Sequence, residues 1–329
     1  MLLLTWKHAR LGETPGRLNR DLGLLCLSLM DKRRSMPRAL SKYTVREWFR
    51  LRPLVDRKNH ARYQVRERIA LARHSSAVVL PHIHGRKVLI TVSFNDPQVI
   101  EWQTRLIAKN VPEAIHIVAD NSTDPTARDA IRDICAAAGV AFVAVAANPW
   151  IGREKEGGKS HGYALNWVWN NIVLANRPSM VGFLDHDIFP TAKTDPFRML
   201  DQATVAGLVR TAPNERWYLW PGFAFFNFGR LRTHRLNFGR DWLDGFDTGG
   251  LNWHCLYREL SDEDLRPADH ERIAVAAGVA MDEALFERID GWLHESRFTT
   301  DIDMEPARRQ QLLELKRCSI LDILMALPA

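Results

Sequence analysis

Between residues 85 and 190, short apolar runs alternate with amphipathic stretches, and that alternation predicts most of the elements. Residues 87–92 (KVLITV) are apolar and β-branched, the mark of a strand buried on both faces. A turn cluster, Ser93-Phe94-Asn95-Asp96-Pro97, ends the run, and 98–110 predicts a helix. A second strand, 114–119 (AIHIVA), ends at Asp120-Asn121-Ser122; 125–138 predicts a helix, with Gly139 as its stop. A third strand (140–146), a third helix (160–175) and a fourth strand (180–184) follow. Strands and helices that alternate through short connections predict a doubly wound, mainly parallel α/β sheet with helices on both faces.

After Pro190 the alternation fades into aromatic, glycine-rich segments at 217–228, 241–253 and 292–297. Before Gly85, the stretches 43–54 and 62–73 mix Arg and Lys with Val, Trp, Phe, Ile and Leu, a pattern open to amphipathic helix. The expected organisation is therefore a basic helical extension over 1–84, a main domain over 85–300 with halves 85–190 and 191–300, and a C-terminal helix over 301–329.

Composition narrows this little. With 329 residues, 46% hydrophobic and 26% charged, the chain is an ordinary globular one, long enough to bury a full core. Cys26, Cys135, Cys255 and Cys318 form no C-x-x-C pair, so neither a disulfide framework nor a cysteine zinc site is expected. The longest apolar run near the N-terminus, 22–30, is too short to span a bilayer, and Met1–Leu4 lacks the features of a signal peptide. A cytoplasmic location is expected.

Charge changes the picture more. Residues 1–80 hold 18 Lys and Arg against 6 Asp and Glu, whereas the rest of the chain is mildly acidic. A basic amphipathic helix suits an anionic membrane surface, which would place the protein peripherally on the inner face of the membrane. The plainer alternative is a solvated helix packed beside the main domain. Nucleic acid is not an expected partner.

In a doubly wound sheet, ligands bind beyond the carboxyl ends of the strands. Polar residues gather there: Ser93 and Asn95 after the first strand, Asp120, Asn121 and Ser122 after the second, Asp185 and Asp187 after the fourth. The strongest of these features is Val181-Gly182-Phe183-Leu184-Asp185-His186-Asp187. Two carboxylates that approach one point repel unless a cation lies between them, and hard divalent ions favour carboxylate oxygen. Mg²⁺ or Mn²⁺ held there keeps open positions for phosphate oxygens.

The other features are weaker. Asp120 is placed to accept from a nucleobase or ribose, or else to form the turn into the Pro125 helix, a capping role that Asp124 could also fill. Gly157-Gly158-Lys159-Ser160-His161-Gly162 opens a helix and suggests an anion site, although Arg153 stands where a Walker loop needs glycine. Asn166 follows one turn along. Trp220-Pro221-Gly222-Phe223 and Asp247-Thr248-Gly249-Gly250 combine indole, carboxylate and glycine, a mixture suited to sugars and equally to an aromatic core. His294, in Trp292-Leu293-His294-Glu295-Ser296, is a candidate to complete a metal shell.

Taken in order, TVSFN, VADNSTDP, GGKSHGYALNW, FLDHDIFP and WLHES resemble the glycosyltransferases of GT-A fold, most of all the large family 2 type, over residues 86–297. The resemblance implies a nucleotide-diphospho-sugar donor in the first half and a saccharide or lipid-linked acceptor in the second, in bacterial surface polysaccharide or glycan synthesis. It further implies that Ser93, Asn95, Asp120, Asn121, Lys159, His161, Asn166 and Asp185 line the donor. Asp185, Asp187 and His294 would bind the metal, and Trp220, Gly249 and Gly250 the acceptor. An inverting member needs a carboxylate base, for which Asp247 is the first choice and Asp244 the second; the family's Glu-Asp pair is absent here.

Three other readings compete. A haloacid-dehalogenase-like phosphatase would use Asp185 as nucleophile and Asp187 as acid/base, against which stand Phe189 and the three βα units before the motif. A nucleotidyltransferase would use the same donor half. A non-enzymatic protein would work through its basic N-terminal region.

Overall fold

In the computed structural model, residues 43–151, 157–211, 216–281, 283–296 and 304–325 are described. The first 42 residues of the expected extension, with the 22–30 run and Cys26, lie outside them.

Helices α1 (Val45–Phe49) and α2 (Arg52–Arg73) come first. The core then builds through β1 (Lys87–Ser93), α3 (Pro97–Asn110), β2 (Ile115–Asp120), α4 (Pro125–Ala137), β3 (Ala141–Ala144), α5 (Gly157–Val168) and β4 (Met180–Asp185). Both α3 and α4 begin with proline behind an aspartate cap: Asp96 accepts from Val99 N at 3.3 Å, and Asp124 from Thr126 N at 2.9 Å. Asp124 is thus the cap of α4, and Asp120 is left for other work.

The remaining strands are β5 (Ile188–Pro190), β6 (Val205–Thr211), β7 (Trp217–Asn227), β8 (Leu265–Pro267), β9 (His270–Ala274), β10 (Leu285–Ile289) and β11 (Trp292–His294), and α6 (Pro306–Met325) closes the chain. Seven strands form one sheet in the order β3-β2-β1-β4-β7-β6-β8, and β5-β11-β10-β9 form a second. The expected mixed α/β architecture is present: β3, β2, β1 and β4 are mutually parallel, and β7 enters antiparallel to β4. The second, antiparallel sheet was not expected from the sequence.

The strand ends are level. Ser93 stands in register with Asp120, and Val92 with Asp185, so the carboxyl ends of β1, β2 and β4 meet at one edge. Pro221, which cannot donate to a ladder, lies where the β6–β7 register shifts, past the last residue that β4 pairs with β7. Beneath the sheet, α5 runs through a π-turn (Trp169–Val173) that buries Trp169 among Phe183, Phe226, Phe228 and Phe238.

Helix α2 does not stand free in solvent. It buries Asp56, His60, Tyr63 and Glu67, and Asn166 donates to Glu67 Oε1 at 2.6 Å. Among the described residues, no helix is long and apolar enough to cross a membrane.

Gly182, in the middle of β4, stands opposite Phe225 on β7. A Cβ at Gly182 would lie 2.5 Å from the Phe225 ring and 2.9 Å from Leu89. Gly182→Ala is expected to destabilise the fold by about 1–3 kcal/mol, because a packed core cannot yield to the extra methyl. Urea unfolding measures it, and an unchanged midpoint would contradict the packing described.

Candidate functional site

The edge is organised by a buried carboxylate. Asp120 Oδ1 accepts from Ser93 Oγ at 3.0 Å and Ser122 Oγ at 2.6 Å, while Oδ2 accepts from Arg128 Nε at 2.8 Å and Ser122 N at 3.3 Å. Four donors fill the acceptor capacity of a carboxylate, and the side chain is fully buried. The direct ligand contact expected of Asp120 is therefore corrected: it shapes the turn that a ligand would meet, and Ser93 serves it. Asn95 clamps the same turn, accepting on Oδ1 from Thr123 N and Asp124 N and donating to Thr123 Oγ1 at 2.8 Å. Asn121 joins Asn148 and Ser160, so the second strand end is tied to the N-terminus of α5.

Asp185 and Asp187 close β4. The turn between them and β5 is held by Gln103 of α3, which donates to Asp185 O at 2.7 Å and Ile188 O at 2.8 Å. Thr91 donates to Gln103 Oε1 and so fixes which end of the amide faces the turn. Thr91 in turn meets His116 Nε2 at 3.0 Å, and burial lowers that imidazole's pKa to about 3, so it is neutral.

Strand register explains how a distant histidine reaches the two aspartates. On β11, His294 pairs with Ile188 of β5, the residue after Asp187, and with Glu287 of β10 on its other side. His294 Nε2 lies 3.4 Å from Asp187 Oδ1, and Nδ1 is 2.9 Å from Glu287 Oε2. Ligand atoms of Asp185, Asp187 and His294 all fall within 4.8 Å of one another.

The residues fit a divalent cation. Two carboxylates and an imidazole converge, and a third carboxylate, Glu287, takes the other ring nitrogen, the arrangement that orients histidine toward a metal. Burial alone would lower the His294 pKa; Asp187 and Glu287 on its two sides raise it to about 10. A bound cation would take the place of that proton. Glu287 itself is buried, yet His270 at 3.0 Å, His294 and Arg210 at 3.1 Å hold its carboxyl well below the usual range.

Other expected residues are distributed around this centre. His161 Nε2 is 3.4 Å from Asp185 Oδ1. Trp220 packs on the His294 ring, centroids 4.8 Å apart. Asp247 Oδ1 forms an ion pair with Arg240, whose Nε lies 2.7 Å away, and accepts from Thr248 N at 2.8 Å; a Cβ on Gly158, one turn before His161, would lie 3.2 Å from that oxygen. Residues three apart on a helix share a face, so Asp247, beside Gly158, and Asp185, beside His161, lie toward the same side of α5.

Besides Asp120, five residues are placed differently from expectation. Lys159 turns away from the edge, its Nζ 5.6, 5.3 and 5.0 Å from the rings of Tyr63, Trp150 and Trp242. Asn166 is buried between α2 and the 237–238 segment, donating to Glu67 and accepting from Phe238 N, so it does not face the edge. Gly249 and Gly250 are buried and present no acceptor surface. Gly249 has φ +91° with Leu219 O against its missing Cβ, and Gly250 lies on Phe246. Asp244 belongs to a separate group with Arg216, Asp241 and His254. Gln103 and Glu287 were missed. The signal for Gln103 lies in its position inside the apolar stripe of α3, between Val99 and Ile107.

No protein-family model and no curated protein sequence matches the chain. Solved structures similar to part of it include the mannosyltransferase PcManGT from Pyrobaculum calidifontis in complex with GDP-Man and Mn²⁺. Identity there is 15%, over 50% of this chain and 51% of that one, with a TM-score of 0.32. The galactosyltransferase LgtC, in complex with donor and acceptor sugar analogs, is 11% identical over 55% of this chain and 73% of that one, TM-score 0.39. Glucosyl-3-phosphoglycerate synthase from Mycobacterium tuberculosis, in complex with Mn²⁺, uridine-diphosphate-glucose and phosphoglyceric acid, is 16% identical over 56% and 69%, TM-score 0.34. This chain spans about half the length of the mannosyltransferase. At such scores these neighbours decide nothing about the chemistry of the site, which rests on the residues of this chain.

Proposed function

We propose that this chain is a metal-assisted glycosyltransferase that moves a sugar from a nucleoside-diphospho-sugar to an acceptor hydroxyl. The observation that carries the proposal is the cluster of Asp185, Asp187 and His294, backed by Glu287, at the level edge where β1, β2 and β4 end. Mn²⁺ or Mg²⁺ on those three side chains would neutralise charge on a leaving diphosphate. The turn built by Ser93, Asn95, Asp120 and Asn121 would offer a rigid floor to the nucleoside. His161 would hold Asp185 in place beside it.

In the step itself the bond from the sugar's anomeric carbon to phosphate oxygen breaks, the acceptor oxygen bonds to that carbon, and the acceptor's proton leaves to a base. Asp247 suits the last role. Its described hydrogen bonds fall on Oδ1, and the half-exposed side chain keeps Oδ2 for the proton. Backside attack with such a base inverts the anomeric centre.

The test is product analysis with a panel of nucleoside-diphospho-sugars, Mn²⁺ and saccharide acceptors. A glycoside of inverted configuration is the expected product; transfer of the nucleotide instead of the sugar, or simple phosphate-ester hydrolysis, would overturn the proposal. Asp247→Asn is expected to slow turnover by about 10²–10⁴-fold while donor affinity stays within a few-fold of the parent. A collapse of donor affinity would make Asp247 a binding residue.

A further inference from the structure

Helix α2 is inverted for a helix in water. Its covered face is Pro53, Asp56, His60, Tyr63 and Glu67, spaced three and four apart and mostly polar. Leu54, Val55, Val65 and Ile69 point outward instead and are 44–56% exposed. A surface helix normally puts such residues on its covered stripe. The inversion continues through α1 and the turn between the helices, where Val45, Trp48, Phe49 and Leu51 are exposed, Phe49 to 85%. Of the twelve large apolar side chains exposed among the described residues, eight lie between 45 and 69, so they form one surface rather than a scatter.

Charge on this surface has one sign. Residues 44–73 carry nine Lys and Arg against Glu47, Asp56 and Glu67, and all nine cations are exposed. Asp56 and Glu67 are buried, where Asp56 accepts from Tyr43 and Arg52, and Glu67 from Asn166. Glu47 is held by Thr44 in the cap of α1. Among the described residues, none pairs as an anion with Arg50, Arg57, Lys58 or Arg62. The sequence leaves open a solvated helix packed beside the main domain. The packing is present, but the outer face, apolar and basic together, is not that of a solvated helix.

We infer that the outer face of α1 and α2 is a docking surface for an anionic phospholipid bilayer. Arg and Lys reach the headgroup phosphates, while Trp48, Phe49, Leu51 and Leu54 enter the boundary between headgroups and acyl chains. Charge argues against other occupants. A second copy would set nine cations against nine, and residues 1–42 of this chain are themselves basic, with nine Lys and Arg against three acids. Nucleic acid answers the cations but not the aliphatic Leu51, Leu54, Val65 and Ile69. No residue of this face belongs to the Asp185–Asp187–His294 centre, so the surface stands or falls apart from the glycosyltransferase proposal.

The test is co-sedimentation of the full chain with vesicles of phosphatidylcholine, alone or mixed with phosphatidylglycerol. Binding is expected only to the mixed vesicles, and to weaken as salt rises. Arg50→Glu with Lys58→Glu is expected to lower vesicle affinity by about twentyfold or more, since each cation near an anionic surface contributes about fivefold. Phe49→Ser with Leu54→Ser leaves the charge unchanged and is expected to weaken binding by about tenfold. All four positions are exposed, so the melting temperature should stay that of the parent. Phosphatidylglycerol brominated on its acyl chains is expected to quench tryptophan fluorescence, and Trp48→Phe to remove most of that quenching. A chain that stays in the supernatant with mixed vesicles, or binding that survives both pairs of substitutions unchanged, would overturn the inference. So would a dimer that the same substitutions dissociate, since the face would then belong to a second copy.

Discussion

Asp187→Ala is expected to eliminate Mn²⁺-dependent binding of a nucleoside-diphospho-sugar and to cut transfer by about a thousandfold or more. Metal stabilisation of a departing phosphate is worth several kcal/mol, and about 1.4 kcal/mol corresponds to each factor of ten in rate. Asp187 sits between His294 at 3.4 Å and the backbone of β11, where Glu295 N donates to Asp187 O at 2.8 Å. That backbone bond survives the substitution, so the β5–β11 pairing and the fold should persist. The readout is a thermal-shift series with and without Mn²⁺. At 100 times its dissociation constant a ligand contributes about 2.7 kcal/mol to the parent, and that increment should vanish in the variant. An Asp187→Ala protein that still shows a full Mn²⁺-dependent shift would remove the carboxylate from the metal shell.

Glu287→Ala should damage stability more than any other substitution at the metal cluster. Burial by itself would raise this carboxyl's pKa; hydrogen bonds from His270 and His294 and the charge of Arg210 outweigh burial and lower it. Removing one member of a buried, paired charge group costs about 3–5 kcal/mol, because the partners remain desolvated without their counter-charge. Because the folded carboxyl is held below the ordinary glutamate value, its contribution is complete above that value and fades as acid titrates the folded form. Urea unfolding at neutral and acidic pH should therefore show parent and variant converging as pH falls. Glu287→Gln keeps the shape but not the charge and should weaken Mn²⁺ binding by about 10–100-fold, as loss of a group behind a ligating histidine does. A Glu287→Ala protein as stable as the parent at neutral pH would show that the cluster is solvated.

The first half of the fold was legible because β1, β2 and β4 are buried on both faces and read as unbroken apolar runs. The second sheet was not. Its strands span three to five residues, and β5 finds its partner β11 far along the chain, a relation that local periodicity cannot carry. Asp185, Asp187 and His294 were legible as chemistry, because carboxylates after a buried strand invite a cation. Asp120, Asn166, Gly249 and Gly250 were legible only as polar or small residues in the right neighbourhood. Whether such a residue touches a ligand or builds the wall beside it depends on hydrogen bonds with Arg128 or Glu67, or on the close approach of a backbone carbonyl elsewhere. Gln103 and Glu287 were hidden for the opposite reason: each is a polar residue acting from inside an apolar face.

The pairing of β5 with β11 also gives the site an order in time. A ribosome delivers Asp185 and Asp187 well before His294, and domains organise from the N-terminus as they emerge. Until β11 docks, a nascent chain offers a cation only two carboxylates, a weak and exchangeable hold. The imidazole, with Glu287 behind it, arrives when the second sheet zips shut. In the proposed enzyme, a metal ion would therefore meet its full set of side-chain ligands only once the second sheet has closed.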